Sequence, residues 1–126
     1  NEVNNFNGIV IVDQYGLADD IFEKVKIVFM GGSLINRGGQ NPIEPLRYEC
    51  KIITGEYFDN FTEIYEDLVI KDLVQTIKNQ NELKDKLSAL FKKDNIVEVD
   101  NSKFDFKNFS DEIYYNTIKF LDNYIK

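Results

Sequence analysis

The first half of the chain alternates short apolar runs with polar segments. Short, mainly apolar runs at Ile9–Val12, Lys26–Met30 and Cys50–Thr54, the first of them entirely β-branched, are typical of strands that are buried on both faces. Between the first two runs, Leu17–Val25 carries apolar residues at helical spacing, which indicates a short amphipathic helix. The succession of strand, helix and strand predicts an α/β fold with a Rossmann-like parallel sheet and flanking helices.

The second half is predicted to be mainly helical. Phe61–Leu68 has room for one or two helical turns, and Leu68–Ile70 is predicted as a short fourth strand. Apolar residues at helical spacing predict helices over Lys71–Asn79 and Glu82–Lys92, with Asn81 as the amino-terminal cap of the second.

The last third ends in a predicted helix. Asp94–Lys107 alternates only weakly and indicates a loop or a brief edge strand. Ser110 is a suitable cap for a helix that runs to the end of the chain. We interpret residues 1–126 as one partial domain, with residues 109–126 as its carboxyl-terminal helix. The spacing predicts that one stripe of this helix faces the core: Ile113, Thr117, Phe120, Leu121, Tyr124 and Ile125.

Composition removes several classes of function. A net charge of −7 repels nucleic acid, so no nucleic-acid partner is expected. The chain contains no histidine, which excludes histidine-dependent triads and zinc sites and leaves acid–base chemistry to Asp and Glu. Apolar runs of four or five residues predict a soluble fragment with no membrane segment. The single Cys50 is expected to be a buried structural thiol.

One stretch concentrates the conformationally special residues. The segment "GGSLINRGGQNPIEP", residues 31–45, holds four of the seven glycines and both prolines, directly after a predicted strand. Two glycine pairs allow a backbone that approaches a ligand closely and presents its N–H groups to an anion. Proline is tolerated in the first turn of a helix, so a helix should begin close to Asn41 or Pro42, with Glu44 near its start.

Two interpretations of this stretch stay open from spacing alone. Asn41 with Glu44 three residues later matches a capping box, which would be purely structural. Alternatively, a phosphate lies over the helix start and Glu44 accepts hydrogen bonds from ribose hydroxyls. Arg37 would reach a phosphate or a sugar carboxylate, or would simply be solvated. The stretch is neither a Walker A motif nor a G-x-G-x-x-G fingerprint.

The same stretch resembles the signature of the 3-deoxy-D-manno-octulosonic acid (Kdo) transferases, approximately G-G-S, four residues, then G-G-[HQ]-N-x-x-E-P. Asp13 and Gly16 match the family's D-T-x-G-E-L at the same distance upstream, and "NFTEI" from Asn60 matches its N-F-x-E-I downstream. Gln14 and Leu17 depart from the upstream pattern. The signature positions matched here are Gly31, Gly32, Ser33, Gly38, Gly39, Gln40, Asn41, Glu44 and Pro45.

The resemblance implies the carboxyl-terminal, donor-binding half of a GT-B glycosyltransferase. Such an enzyme would transfer Kdo from CMP-Kdo to a lipid A precursor, without an obligatory metal, at the cytoplasmic face of the bacterial inner membrane. The catalytic base and acceptor groove would belong to an amino-terminal domain, so no catalytic residue is expected in this chain. The implied donor-binding residues are Gly31, Gly32, Ser33, Arg37, Gly38, Gly39, Gln40, Asn41, Glu44 and Asn60.

Two other functions are compatible with these residues. The chain would alternatively be part of a GT-B enzyme that uses another nucleotide sugar, or a non-catalytic α/β interaction module.

If Ile9–Val12 is the third strand of a Rossmann-like half, the first two strands of that half are missing from this chain, and the sheet has a gap. We then expect Ile9–Val12 to move beside the strand at residues 27–30, or exposed strand edges to pair two copies into a homodimer.

Overall fold

A computed structural model describes residues 8–92 and 99–125 of the chain. Its strands β1 (Ile27–Met30), β2 (Lys51–Thr54) and β3 (Val74–Thr76) form a parallel sheet in the order β1-β2-β3. Single 3₁₀ turns lie at Asp59–Phe61 and Asn101–Lys103. The helices are α1 (Ala18–Phe22), α2 (Ile43–Arg47), α3 (Thr62–Ile70), α4 (Gln80–Lys92) and α5 (Phe106–Ile125).

The core lies around the central strand β2. Ile52 and Ile53 are both fully buried although they point to opposite faces of the sheet, so both faces of β2 are covered. Phe104, which precedes α5, is also buried, and the Lys71 ammonium lies 5.5 Å from the centre of its ring. The main cluster comprises Met30, Ile43, Leu46, Ile52, Tyr65, Leu68, Leu73, Val74 and Phe104.

The predicted fold class is confirmed: three parallel strands are flanked by helices. The strands predicted at residues 26–30 and 50–54 are present as β1 and β2. The helix predicted over residues 17–25 is shorter and becomes α1. The helix predicted to start near Pro42 begins at Ile43 as α2.

The strand predicted at Ile9–Val12 is wrong. These residues are irregular and exposed, with Ile9 at 90% and Ile11 at 86% of their full accessible area. A β-branched run becomes a strand only when a neighbouring strand accepts its backbone hydrogen bonds. Among the described residues, β1 pairs only with β2, so Ile9–Val12 does not lie beside it.

The segment after α3 also differs from the prediction. Leu68–Ile70 is not a strand but the last turn of α3. The helix predicted over Lys71–Asn79 is absent, and this segment contains strand β3 instead. Asp72, with a φ of 57°, turns the chain directly after α3. The buried residues Leu73, Val74 and Ile77 fit a helical spacing, but they also fit a short strand with one buried residue on either side.

The starts of two helices differ from the prediction, and each is defined by a capping side chain. Asn79, not Asn81, caps α4, because its side-chain oxygen accepts a hydrogen bond of 3.0 Å from the Glu82 N–H. The last helix begins at Phe106 rather than after Ser110. Asp105 supplies its cap by accepting from the Asn108 N–H at 2.9 Å. The segment Asp94–Lys107 lies partly outside the described residues, and its described part is the second 3₁₀ turn followed by the start of α5.

The stripe of α5 that was predicted to face the core is exposed. No residue of α5 is buried within the part of the chain that the structure describes. Helical spacing identified the apolar side of α5 but could not identify a neighbour to cover it. None of the described helices is both long and apolar enough to cross a membrane.

Ser33 ties the carboxyl ends of β1 and β2 together. Its hydroxyl donates to the Met30 carbonyl at 2.5 Å and accepts from the Gly55 N–H at 2.7 Å. Its own carbonyl accepts from the Tyr57 N–H at 3.0 Å. The two strand ends are so close that a Cβ at Gly55 would clash with the Ser33 carbonyl group. This contact holds the glycine-rich loop against the end of the sheet.

We expect Gly55→Ala to lower the free energy of unfolding by about 3 kcal/mol, because the added methyl meets rigid backbone rather than a flexible side chain. Urea denaturation followed by circular dichroism measures this loss. Ser88→Ala, on the exposed side of α4, is the control and should change stability by less than about 0.5 kcal/mol. A Gly55→Ala variant as stable as the control would contradict the close contact.

Candidate functional site

The glycine-rich loop lies at the edge of the sheet where ligands bind in open α/β folds. It connects the carboxyl end of β1 to α2, and the loop after β2 lies beside it because the strands are parallel. The prediction that this loop follows a parallel strand is therefore confirmed. The positions within it now separate into those that build the loop and those that remain open to a ligand.

The second glycine pair is required by the neighbouring loop. Gly38 and Gly39 have φ angles of +84° and +73°. The Asn60 side chain covers the space where a Gly38 Cβ would stand, and a Gly39 Cβ would lie 3.0 Å from the Tyr57 carbonyl oxygen. Asn60 also donates its backbone N–H to the Gly38 carbonyl at 3.2 Å. Gly38 and Gly39 thus allow close packing between the two loops.

In the first glycine pair, Gly31 faces open space, whereas Gly32 lies against Arg37. A Cβ at Gly31 would meet nothing within 4 Å, and Gly31 does not adopt a left-handed φ. Gly32 has a φ of +70°, and a Cβ at this position would lie 3.5 Å from the Cβ of Arg37. Arg37 is exposed, and its guanidinium has no partner among residues 8–92 and 99–125.

A cavity of about 440 Å³ opens in front of Gly31. Three polar residues predicted for the site share its lining: Gln40, Asn41 and Glu44. Its size and its combination of an apolar wall with a few polar groups are typical of a small-molecule site. The apolar wall consists of Phe22, Val28, Phe29, Met30 and Phe61.

Asn41 and Glu44 do not form the reciprocal capping box. The Asn41 side-chain oxygen accepts from the Ile43 N–H at 3.0 Å, so Asn41 does stabilise the start of α2. Glu44 is exposed, and within the described part of the chain its carboxylate accepts no hydrogen bond. The geometry therefore assigns Asn41 a structural contact and leaves the Glu44 carboxylate available at the cavity.

Other predicted residues lie away from the cavity or inside the fold. Ser33 is fully buried, and its hydroxyl joins the backbone after β1 to the backbone after β2. The hydroxyl therefore has a structural role in the loop and does not face a ligand. Asp13 lines a separate cavity formed by Val12–Tyr15. Asn60 packs against Gly38 rather than lining the 440 Å³ cavity.

Cys50 is buried, as predicted for a structural thiol. Its sulfur lies 3.4 Å from the carbonyl oxygens of both Phe22 and Val25. Burial raises the pKa of the thiol, so the nucleophilic thiolate is disfavoured. Among the described residues, no group of three His, Cys, Asp or Glu side chains is placed to hold a metal ion.

One residue at the site was not predicted from the sequence. Tyr65 in α3 is fully buried, and its hydroxyl donates to the Gln40 carbonyl at 2.7 Å. Its ring stacks on Phe58 with the ring centres 4.7 Å apart. The sequence signal was a tyrosine on the apolar face of a predicted helix, which indicates burial but not the partner of the hydroxyl.

The chain has relatives among known glycosyltransferases, although no protein-family model matches it. It is 30% identical over 102 residues to a bifunctional glycosyltransferase/methyltransferase of Fusobacterium nucleatum, covering 71% of this chain and 16% of that protein. It is 40% identical over 77 residues to the 3-deoxy-D-manno-octulosonic acid transferase of Haemophilus influenzae, covering 55% of this chain and 16% of the transferase.

This chain is related to the Kdo transferases. It spans only 16% of the length of each of these two relatives. Its fold is similar to the crystal structure of the C-terminal CMP-Kdo binding domain of WaaA from Acinetobacter baumannii, with a TM-score of 0.60 and 23% identity. That match covers 64% of this chain and 42% of the WaaA chain. The family suggested by the glycine-rich stretch is thus confirmed by comparison of the sequences.

We expect Asn41→Ala to lower the free energy of unfolding by about 1 kcal/mol, because the Ile43 N–H loses its acceptor. Asn41→Asp keeps an acceptor at the same place and should recover most of that loss. Both values follow from urea denaturation of the 126-residue chain. Equal losses in the two variants would show that the side-chain oxygen does not stabilise the start of α2.

Proposed function

We propose that this chain is the donor-binding part of a Kdo transferase, a glycosyltransferase of the GT-B type. The full-length enzyme would transfer Kdo from CMP-Kdo to a lipid A precursor at the cytoplasmic face of the bacterial inner membrane. This chain would hold the nucleotide, while another part of the protein would supply the catalytic base and the acceptor groove. The observation that carries the proposal is the unengaged Glu44 carboxylate beside the open cavity at Gly31, in a relative of the Kdo transferases.

The charge of Glu44 indicates which part of the nucleotide it binds. A carboxylate repels a phosphate but accepts hydrogen bonds from two neighbouring hydroxyl groups. The ribose of a cytidine nucleotide carries such a pair of hydroxyls. We therefore assign Glu44 to the ribose, with the phosphate on the side of Gly31 and Gly32.

The surroundings of the first glycine pair suit a phosphate better than the start of α2 does. Helix α2 has only five residues, so its dipole contributes little. Gly31 lets a phosphate approach the backbone without meeting a side chain. Arg37, adjacent to Gly32, is the nearest cationic residue in the loop and would reach the phosphate or the Kdo carboxylate.

The apolar wall of the cavity suits the nucleobase. Phe61 and Phe22 are half-buried and line the same cavity as Glu44. A pyrimidine ring has apolar faces and polar edges, so it gains contact with aromatic side chains while its edges stay free for hydrogen bonds. The cavity thus offers separate surroundings for base, ribose and phosphate.

We expect Glu44→Gln to weaken CMP binding by about tenfold or more, because the charge-assisted hydrogen bonds to the ribose are lost. Stability should hardly change, since Glu44 is exposed and unpaired within the described residues. Isothermal titration calorimetry with CMP measures the affinity. Glu66→Gln, an exposed change on α3, is the matched control, and equal CMP affinity in the two variants would contradict the role of Glu44.

We expect Gly31→Ala to weaken CMP binding by about tenfold while leaving stability within about 0.5 kcal/mol of the wild type. The added methyl meets no protein atom within 4 Å but occupies the space proposed for the phosphate. Calorimetry gives the affinity and thermal unfolding gives the stability. Unchanged affinity would place the phosphate elsewhere, and lost stability would show that the space at Gly31 is not open.

A further inference from the structure

Tyr65 is a buried phenol whose hydroxyl reaches the loop that lines the cavity. The hydroxyl donates to the Gln40 carbonyl at 2.7 Å, and the ring stacks on Phe58 with an angle of 26° between the planes. Burial raises the pKa of Tyr65 to about 12. The hydroxyl therefore keeps its proton at neutral pH and stays a hydrogen-bond donor.

The Tyr65 contact determines how the peptide between Gln40 and Asn41 is oriented. No described peptide bond is cis, and in a planar trans peptide the carbonyl and the N–H point in opposite directions. Because the Gln40 carbonyl points to the buried Tyr65, the Asn41 N–H points away from it. That N–H has no acceptor among the described residues, and Asn41 lines the 440 Å³ cavity.

We propose that Tyr65 is a positioning residue for the nucleotide site, whose hydroxyl holds the Gln40 carbonyl inward and thereby presents the Asn41 N–H to the bound nucleotide. This inference rests on the proposed function. Without the hydroxyl, the Gln40 carbonyl loses its partner and the peptide is free to turn toward water.

The neighbouring contacts confine that effect to one peptide. The Asn60 N–H holds the Gly38 carbonyl at 3.2 Å, and Gly39 packs against the Tyr57 carbonyl. On the other side, the Asn41 side-chain oxygen accepts a hydrogen bond from the Ile43 N–H. The peptide between Gln40 and Asn41 is the part of this loop whose orientation depends on Tyr65.

The test is Tyr65→Phe, which removes the hydroxyl and keeps the ring that stacks on Phe58. We expect the Kd for CMP, measured by calorimetry on the whole chain, to rise about three- to tenfold in the folded variant. Tyr57→Phe is the matched control, because Tyr57 is exposed in the adjacent loop and its hydroxyl has no hydrogen bond within the described residues. Its Kd should equal that of the wild type.

Amide NMR spectra of the wild-type chain and of Tyr65→Phe add a second measurement. CMP should shift the Asn41 amide resonance of the wild-type chain, and should shift it less in Tyr65→Phe. A wild-type chain that binds CMP without a change at Asn41 overturns the inference, as does a Tyr65→Phe variant that is less stable but binds CMP normally. A wild-type chain that does not bind CMP contradicts the proposed function itself, so the two failures are distinguishable.

Discussion

The contact between Ser33 and Gly55 is the constraint on which the site depends. A single buried hydroxyl joins the carboxyl end of β1 to the backbone that follows β2, with no room for a side chain at Gly55. Parallel strands place their carboxyl ends at one edge, but they do not by themselves decide how the following loops pack. The Ser33 hydroxyl fixes the loop after β1 against the backbone after β2, directly beside Gly31 and Met30, which line the candidate cavity.

Beyond the Ser33 contact, neighbouring residues hold the middle of the loop between β1 and α2 by hydrogen bonds and close packing. Asn60 and the Tyr57 carbonyl hold Gly38 and Gly39, and Tyr65 holds Gln40. Open positions lie before and after this series: a Cβ at Gly31 would meet nothing within 4 Å, and the Glu44 carboxylate accepts no hydrogen bond from the described residues. A loop held in its middle can keep its two ends open without losing its conformation, which is the arrangement that a preorganised ligand site requires.

The sequence predicted the place of the glycine-rich loop in the fold better than the structural roles of its residues. The glycine-rich stretch, its place after a strand and the start of α2 all depend on local constraints such as the fixed φ of proline. The separate roles of Gly31 and Gly39, and the partner of Tyr65, depend on a second loop and a helix farther along the chain, which no local pattern specifies. Gly55 lies outside the conspicuous stretch, and yet a Cβ there would meet neighbouring backbone more closely than a Cβ at Gly38 or Gly39.

The errors in the predicted fold also arise from contacts that a local pattern does not specify. Ile9–Val12 has the composition of a strand, and α5 has the apolar spacing of a packed helix, but both are exposed because no described neighbour covers them.

Charge makes the geometry of this loop decisive. The chain has a net charge of −7, and among the described residues the only charged side chain that lines the cavity is the carboxylate of Glu44. Long-range attraction therefore does not favour an anionic nucleotide. Binding of the proposed nucleotide would then depend on short-range contacts: the apolar wall, the reach of Arg37, and hydrogen bonds, whose strength falls steeply with distance and angle. Such hydrogen bonds would tolerate little movement of the backbone donors, and several contacts hold the loop between β1 and α2.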